Sequence, residues 1–228
     1  HYHLLRSNNE VSQMLFDSLL TTDARAQLHP GLAERWRAIG DDVWEFTLRE
    51  NLRFHDGTPL TTDDIAYTFE RIPQMRGPGA SFSAMIRPVR RVEIVDARTL
   101  RLHTNGPAPL LPTYLAQVMI VSRRLHADAT TADFNGGRSA IGTGPFRLVS
   151  HASGDRIVLA RNDQYWGAKP HWANVTYRMI TNDAARTAAL LAGDVDIIDQ
   201  ISTSDLERLR RDSRFHVAEA TSLRVMYI

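Results

Sequence analysis

The sequence predicts a mixed α/β fold. Three observations carry that prediction: segments with apolar residues at helical spacing, segments that alternate apolar and polar residues, and the interleaving of the two along the chain. No period of roughly 20–50 residues recurs, which removes repeat architectures.

Taken in order, Ser7-Asn8-Asn9-Glu10 has the S-x-x-E spacing of a capping box. Val11, Met14, Leu15 and Leu19 follow at helical intervals, so a first helix is expected to end near Leu20. Pro30-Gly31 breaks the chain, and Leu32 to Trp36 is expected to form a short turn of helix. Val43 to Leu48 alternates and is rich in aromatic and β-branched residues, a half-buried strand. His55-Asp56-Gly57-Thr58-Pro59 is a turn cluster. Thr61 or Thr62 then caps a second helix, with Asp63 and Asp64 at its positive end and Ile65, Phe69 and Ile72 on one face. Arg76 to Ala80 is a loop. Val89 to Val95 and Thr99 to Thr104 read as a hairpin turning at Asp96-Ala97-Arg98. A short helix is expected around Tyr114, and the glycines from Gly136 to Gly144 form the strongest break. Strands follow at Phe146 to Ser150, Arg156 to Ala160 and Val175 to Ile180. Asp183 to Ala192 is a helix that Gly193 stops. Val195 to Ile198 reads as a short buried strand, and Ser204-Asp205-Leu206-Glu207 as the cap of a helix from Leu206 to Arg211. The second half is therefore expected to run in βαβ fashion.

Composition narrows the function. The 228 residues correspond to about 1.5 domains. Hydrophobic residues make up 43% and charged residues 23%, which argues for a packed core and against disorder. With 27 basic and 26 acidic side chains the net charge is +1, so no whole-chain field favours nucleic acid. There is no cysteine, which excludes disulfides, thiolate metal sites and cysteine nucleophiles. No run of about 18 apolar residues occurs, so no membrane-spanning helix is expected. Neither end reads as a natural terminus, and the chain is expected to be a fragment.

A search for chemistry finds little. Gly142-Thr143-Gly144 precedes a strand and lacks a third glycine, so it is a turn and not a dinucleotide fingerprint. No phosphate-binding loop or nucleophile elbow is present. His1 and His3 share one face of an extended segment but have no third ligand nearby. His55-Asp56 invites a general-base reading, yet it sits in a turn where Asp56 is expected to bond local backbone. Asp63-Asp64, Asp41-Asp42 and the Asp194/Asp196 pair are explained by caps and turns. Trp36, Trp44, Trp166 and Trp172 lack an interleaved basic stripe, so core packing is expected over nucleic-acid stacking. On residues alone the chain reads as a soluble α/β domain that binds rather than catalyses.

Six stretches together resemble one family. They are Pro30 to Trp36 with Trp44 to Arg49, Phe54 to Ile65, Gly142-Thr143-Gly144-Pro145-Phe146, Asn162-Asp163-Gln164-Tyr165-Trp166-Gly167, and Ala192-Gly193-Asp194-Val195-Asp196. In register they are similar to the extracellular solute-binding proteins of family 5, which serve peptide and nickel ABC importers. The resemblance implies an α/β fold of the two-lobe periplasmic-binding-protein type with an extra β-rich subdomain. Residues 1–19 and 141–228 would form ligand-binding lobe I, residues 20–140 the inserted subdomain, and the second lobe would be absent from this chain.

The resemblance also implies a function: capture of di- or oligopeptides between two lobes in the periplasm, or on an extracytoplasmic lipid anchor, and delivery to an ABC permease. It implies a monomer with no cofactor, no metal, no catalysis and no nucleic-acid partner. Solute contacts would fall at Tyr2, His3 and Asn8, at Ser81, Phe82, Ser83 and Met85, and at Arg224 and Tyr227. The same fold could instead hold a nickel chelate, glutathione, an opine or an oligosaccharide, or serve as the sensing domain of a transcription regulator. A hydrolase using His55 and Asp56 is the competing class.

Overall fold

The computed structural model describes residues 6–75, 82–199 and 201–219. Two compact units divide the chain after Tyr177. In the first, helix α1 (Arg6–Leu15) leads into a two-stranded ribbon of β1 (Leu20–Thr22) and β2 (Leu28–Pro30). A four-stranded antiparallel sheet follows, from β3 (Ala33–Gly40), β4 (Val43–Leu48), β5 (Val89–Ile94) and β6 (Thr99–Thr104), in the order β3-β4-β6-β5.

Alternation along those strands sets the two faces of the sheet. Phe46 and Leu48 on β4, and Leu100 and Leu102 on β6, point into the core, and none is more than 1% exposed. Helices α2 (Thr62–Arg71), α3 (Ser83–Ile86) and α4 (Leu111–Leu115) supply Ile65, Phe69, Ile86, Leu111 and Leu115 to that same cluster. The other face carries charge. Arg37, Glu45, Arg101 and Glu93 lie in one row straight across the four strands, each paired with the next at 2.7, 3.0 and 3.5 Å.

A second apolar cluster joins Leu15 and Phe16 to Tyr67, Met119, Val121, Phe146 and Leu159. It lies under the three-stranded sheet of β7 (Phe146–Ala152), β8 (Arg156–Arg161) and β9 (Asn174–Arg178). In the short helices α5 (Arg123–His126) and α6 (Thr131–Asn135), Leu125 packs against the first cluster and Phe134 against the second. In the second unit, α7 (Asp183–Ala192) ends at Gly193, whose φ of +80° is the left-handed conformation that glycine adopts without strain, and α8 (Thr203–Arg211) follows.

The structure corrects several expectations. The first helix stops at Leu15, because the next residues bond to tertiary partners: the Leu19 carbonyl accepts from Gly31 N–H, and that of Ser18 from Leu32 N–H. Residues 33–40 form a strand and not a helical turn, since pairing with β4 overrides the helix preference of Ala, Glu and Arg. Among the described residues nothing pairs with Val195 to Ile198, and Ile197 is 71% exposed. The cap of α8 is Ser202, two residues earlier than expected, accepting from Asp205 N–H. The strand pairs with an assigned register are all antiparallel, so the expected βαβ crossover is not seen among the described residues. Trp172 is 63% exposed and so does not pack in the core.

Candidate functional site

Five of the six family-like stretches, all but Ala192 to Asp196, converge on one joint built around the segment Leu15 to Leu19. Gly142 and Gly144 press against the end of α1 so closely that a Cβ on either would fall 1.9 and 2.5 Å from the carbonyl oxygens of Leu15 and Met14. Gly31 approaches Ser18 in the same way, at 2.6 Å. These glycines are required by backbone contact and not by an unusual φ.

At the centre lies Asp17, 8% exposed. Its carboxylate accepts from Tyr165 Oη at 3.1 Å, from Trp166 Nε1 at 2.8 Å and from Thr143 Oγ1 at 2.9 Å, and its own N–H donates to Thr143 Oγ1. Burial pushes the Asp17 pKa up against the pull of those three donors. Burial, followed by the neighbouring Asp17 charge, likewise raises the Tyr165 phenol. Arg49 closes the joint from outside. Its guanidinium lies 4.6 Å from the centre of the Trp166 ring while its Nε donates to the Gly31 carbonyl. The sequence reading passed over Asp17. Its signal was a lone carboxylate inside the apolar run Met14-Leu15-Phe16-Asp17-Ser18-Leu19-Leu20, where charge demands a built partner set.

His55 belongs to the same joint. Its Nδ1 accepts from Gly142 N–H at 3.2 Å and its Nε2 donates to the Gly144 carbonyl at 3.0 Å, so both ring nitrogens are engaged. Burial lowers its pKa to about 4, and the ring is neutral at pH 7. Asp56 accepts from Thr58 N–H and Thr58 Oγ1, the local bonding expected for this turn, and from Arg124 at 2.6 Å. His126 repeats the pattern at the end of α5: Nδ1 accepts from Ser122 N–H, Nε2 donates to the Ser139 carbonyl, and burial lowers its pKa to about 4.

Of the solute contacts that the sequence reading named, Tyr2, His3, Ser81, Arg224 and Tyr227 lie outside the described residues. Asn8 is in α1, and its side chain is likewise outside the description. Phe82 is 5% exposed and belongs to the core under the four-stranded sheet. Met85 packs on that core with part of its surface open, and the Ser83 hydroxyl donates to the Ile72 carbonyl at 3.4 Å. Among the described residues one shallow concavity runs along β3 between Glu34, Trp36, Arg37 and Thr47, and another is framed by Pro88, Pro107, Leu110 and Tyr114. Phe82, Ser83 and Met85 line neither. Among the described residues no three His, Asp or Glu side chains gather to hold a metal ion.

The sequence model described as bacterial extracellular solute-binding proteins, family 5 middle region, matches residues 27–228. The chain is 32% identical over 203 residues to the probable D,D-dipeptide-binding periplasmic protein DdpA of Escherichia coli, covering 86% of this chain and 39% of that protein. In structure it resembles the murein tripeptide binding protein MppA of Escherichia coli, with a TM-score of 0.80 and 25% identity over 92% of this chain and 45% of that one. It also resembles NikA of Brucella suis, solved in complex with Fe(III)-EDTA, with a TM-score of 0.81 and 28% identity over 92% of this chain and 43% of that one. The chain thus spans about two-fifths of the length of the relatives it matches. A match that covers nearly the whole chain makes this chain a member of the bacterial extracellular solute-binding proteins of family 5.

Proposed function

We propose that this chain is part of the substrate-binding component of an ABC importer, which captures di- or oligopeptides between two lobes in the periplasm and delivers them to a membrane permease. The observation that carries a binding role is the state of the signature residues. Asp17, Thr143, Tyr165, Trp166 and both nitrogens of His55 spend their hydrogen-bonding capacity on one another and on backbone, so none of these five is poised as base or nucleophile. Peptide as the solute class is supported by the names of relatives: D,D-dipeptide-binding, murein peptide-binding and oligopeptide-binding.

On this reading residues 1–19 and 141–228 belong to the ligand-binding lobe, and residues 20–140 form the subdomain, whose core is the cluster under the four-stranded sheet. Ser83 and Met85, with partly open surfaces, extend the contact segment that begins at Ser81 and includes the core-anchored Phe82. Tyr2, His3 and Asn8 supply the contacts at the N-terminal end, and Arg224 and Tyr227 those at the C-terminal end. Main-chain hydrogen bonding suits peptides of varied side chains, and hinge closure is stabilised by contacts made to both lobes at once. The protein works as a monomer, without cofactor, turnover or nucleic acid.

Isothermal titration of the full-length protein with a pooled library of di- to pentapeptides tests the proposal, beside a nickel–histidine chelate and glutathione. Saturable binding of peptides alone is expected. Silence toward peptides with a response to the chelate or to glutathione would keep the binding role and overturn the solute class.

A further inference from the structure

We propose that Asn105 is a site of spontaneous deamidation, its side-chain amide converted to a carboxylate through attack by the Gly106 backbone nitrogen. The chain has two Asn-Gly pairs, Asn105-Gly106 and Asn135-Gly136. In both, the missing Cβ of glycine leaves the approach to the asparagine carbon unhindered. Sequence therefore makes them equal, and structure separates them.

Asn105 is exposed, at the bend that leaves β6 for the proline-rich segment before α4. Gly106 has a φ of +135°, and a Cβ built on it would meet nothing within 4 Å, so no neighbour crowds the glycine side of the bend. Among the described residues no acceptor takes the Gly106 N–H. The bend keeps its shape by other bonds: Thr104 Oγ1 donates to the Gly106 carbonyl at 2.7 Å, and Asn105 N–H donates to the Pro88 carbonyl at 2.9 Å. Asn135 is exposed too, but it closes α6, where Gly136 N–H donates to the Ala132 carbonyl at 2.8 Å. A Cβ on Gly136 would stand 3.1 Å from that same oxygen. Reaction there first requires the helix end to open.

The chemistry needs only water. The Gly106 nitrogen bonds to Cγ of Asn105, the side-chain nitrogen leaves as ammonia carrying the Gly106 proton, and a succinimide remains. Water adds to one of its two carbonyl carbons and breaks the C–N bond there, giving aspartate or isoaspartate. The formal net charge falls from +1 to zero. The new carboxylate appears at the mouth of the groove framed by Pro88, Pro107, Leu110 and Tyr114.

The test holds the full-length protein at mildly alkaline pH, folded in one arm and unfolded in urea in the other, and follows both sites by peptide mapping with an isoaspartate readout. In the folded arm Asn105 is expected to convert roughly fivefold or more faster than Asn135, the factor that one net hydrogen bond supplies. In urea the two rates are expected to converge. An Asn105→Gln protein, held folded, is expected to release correspondingly less ammonia. Equal rates in the folded protein, faster conversion at Asn135, or no conversion at Asn105 while unfolded protein converts both would each overturn the proposal.

Discussion

At the scale of single residues, Asp17 and two histidines make the sharpest statements. Replacing Asp17 with Ala strands three donors, on the buried Thr143 and the half-buried Tyr165 and Trp166. Each orphaned donor costs about 1–3 kcal/mol, partly offset by removing a buried charge, so a net loss of about 3 kcal/mol is expected as a lower urea midpoint at unchanged slope. Gly142→Ala is expected to be worse, because its Cβ would collide with Leu15 backbone on a helix end that cannot retreat. The histidines predict a pH dependence. Their folded-state pKa values of about 4 lie below the ordinary 6.5. Below pH 6.5 the unfolded chain takes up protons that the buried rings refuse, so their contribution is complete above that pH and is lost as pH falls toward 4. The scale is on the order of 3 kcal/mol each. Asp17 acts in the opposite direction: its raised pKa lets the folded state bind a proton first, returning part of that loss. The ring resonances of His55 and His126 in NMR spectra are expected to stay fixed between pH 8 and 5.5; movement there would contradict the engaged, neutral rings.

At the scale of elements, the row Arg37-Glu45-Arg101-Glu93 shows how a sheet keeps one face in water. Distance alone would rank the Arg37–Glu45 pair first, at 2.7 Å against 3.0 Å for Arg101–Glu45. Exposure reverses the ranking, since the Arg37 side chain is 73% exposed and that of Arg101 35%. Double-mutant cycles are expected to give Glu45 a coupling with Arg101 of up to about 1 kcal/mol, and with Arg37 a value near zero. Both are expected to shrink in salt. The elements legible in the sequence were those whose signals are local. The β5–β6 hairpin turns where Asp96 accepts from Arg98 and Thr99 N–H, α2 starts where Thr61 N–H reaches Asp64, and α7 stops at Gly193. Strand β3 was misread because Ala, Glu and Arg favour helix until a partner strand arrives.

At the scale of the whole molecule, the two apolar clusters and the joint between the signature stretches describe a scaffold, and the proposed solute is held by contacts to two lobes. A bound peptide is therefore expected to stabilise the full-length protein by about 2.7 kcal/mol at a hundredfold excess over Kd, visible as a concentration-dependent rise in Tm. The 228-residue chain alone is expected to show a far smaller rise, having only part of the clamp. Equal shifts in both would contradict the two-lobe reading.

The sequence by itself determined the fold class, most of the helices and strands, and, through six short stretches in register, the family. Helical period, strand alternation and turn residues act within a few positions, so they can be read without coordinates. Tertiary structure alone decided what the signature residues do. That Gly142 and Gly144 exist to let two backbones touch, that Asp17 is the acceptor for Thr143, Tyr165 and Trp166, and that both nitrogens of His55 are occupied depend on residues up to 149 positions apart in the chain meeting at one point. Burial gives those bonds their weight, and burial is a property of the packed molecule.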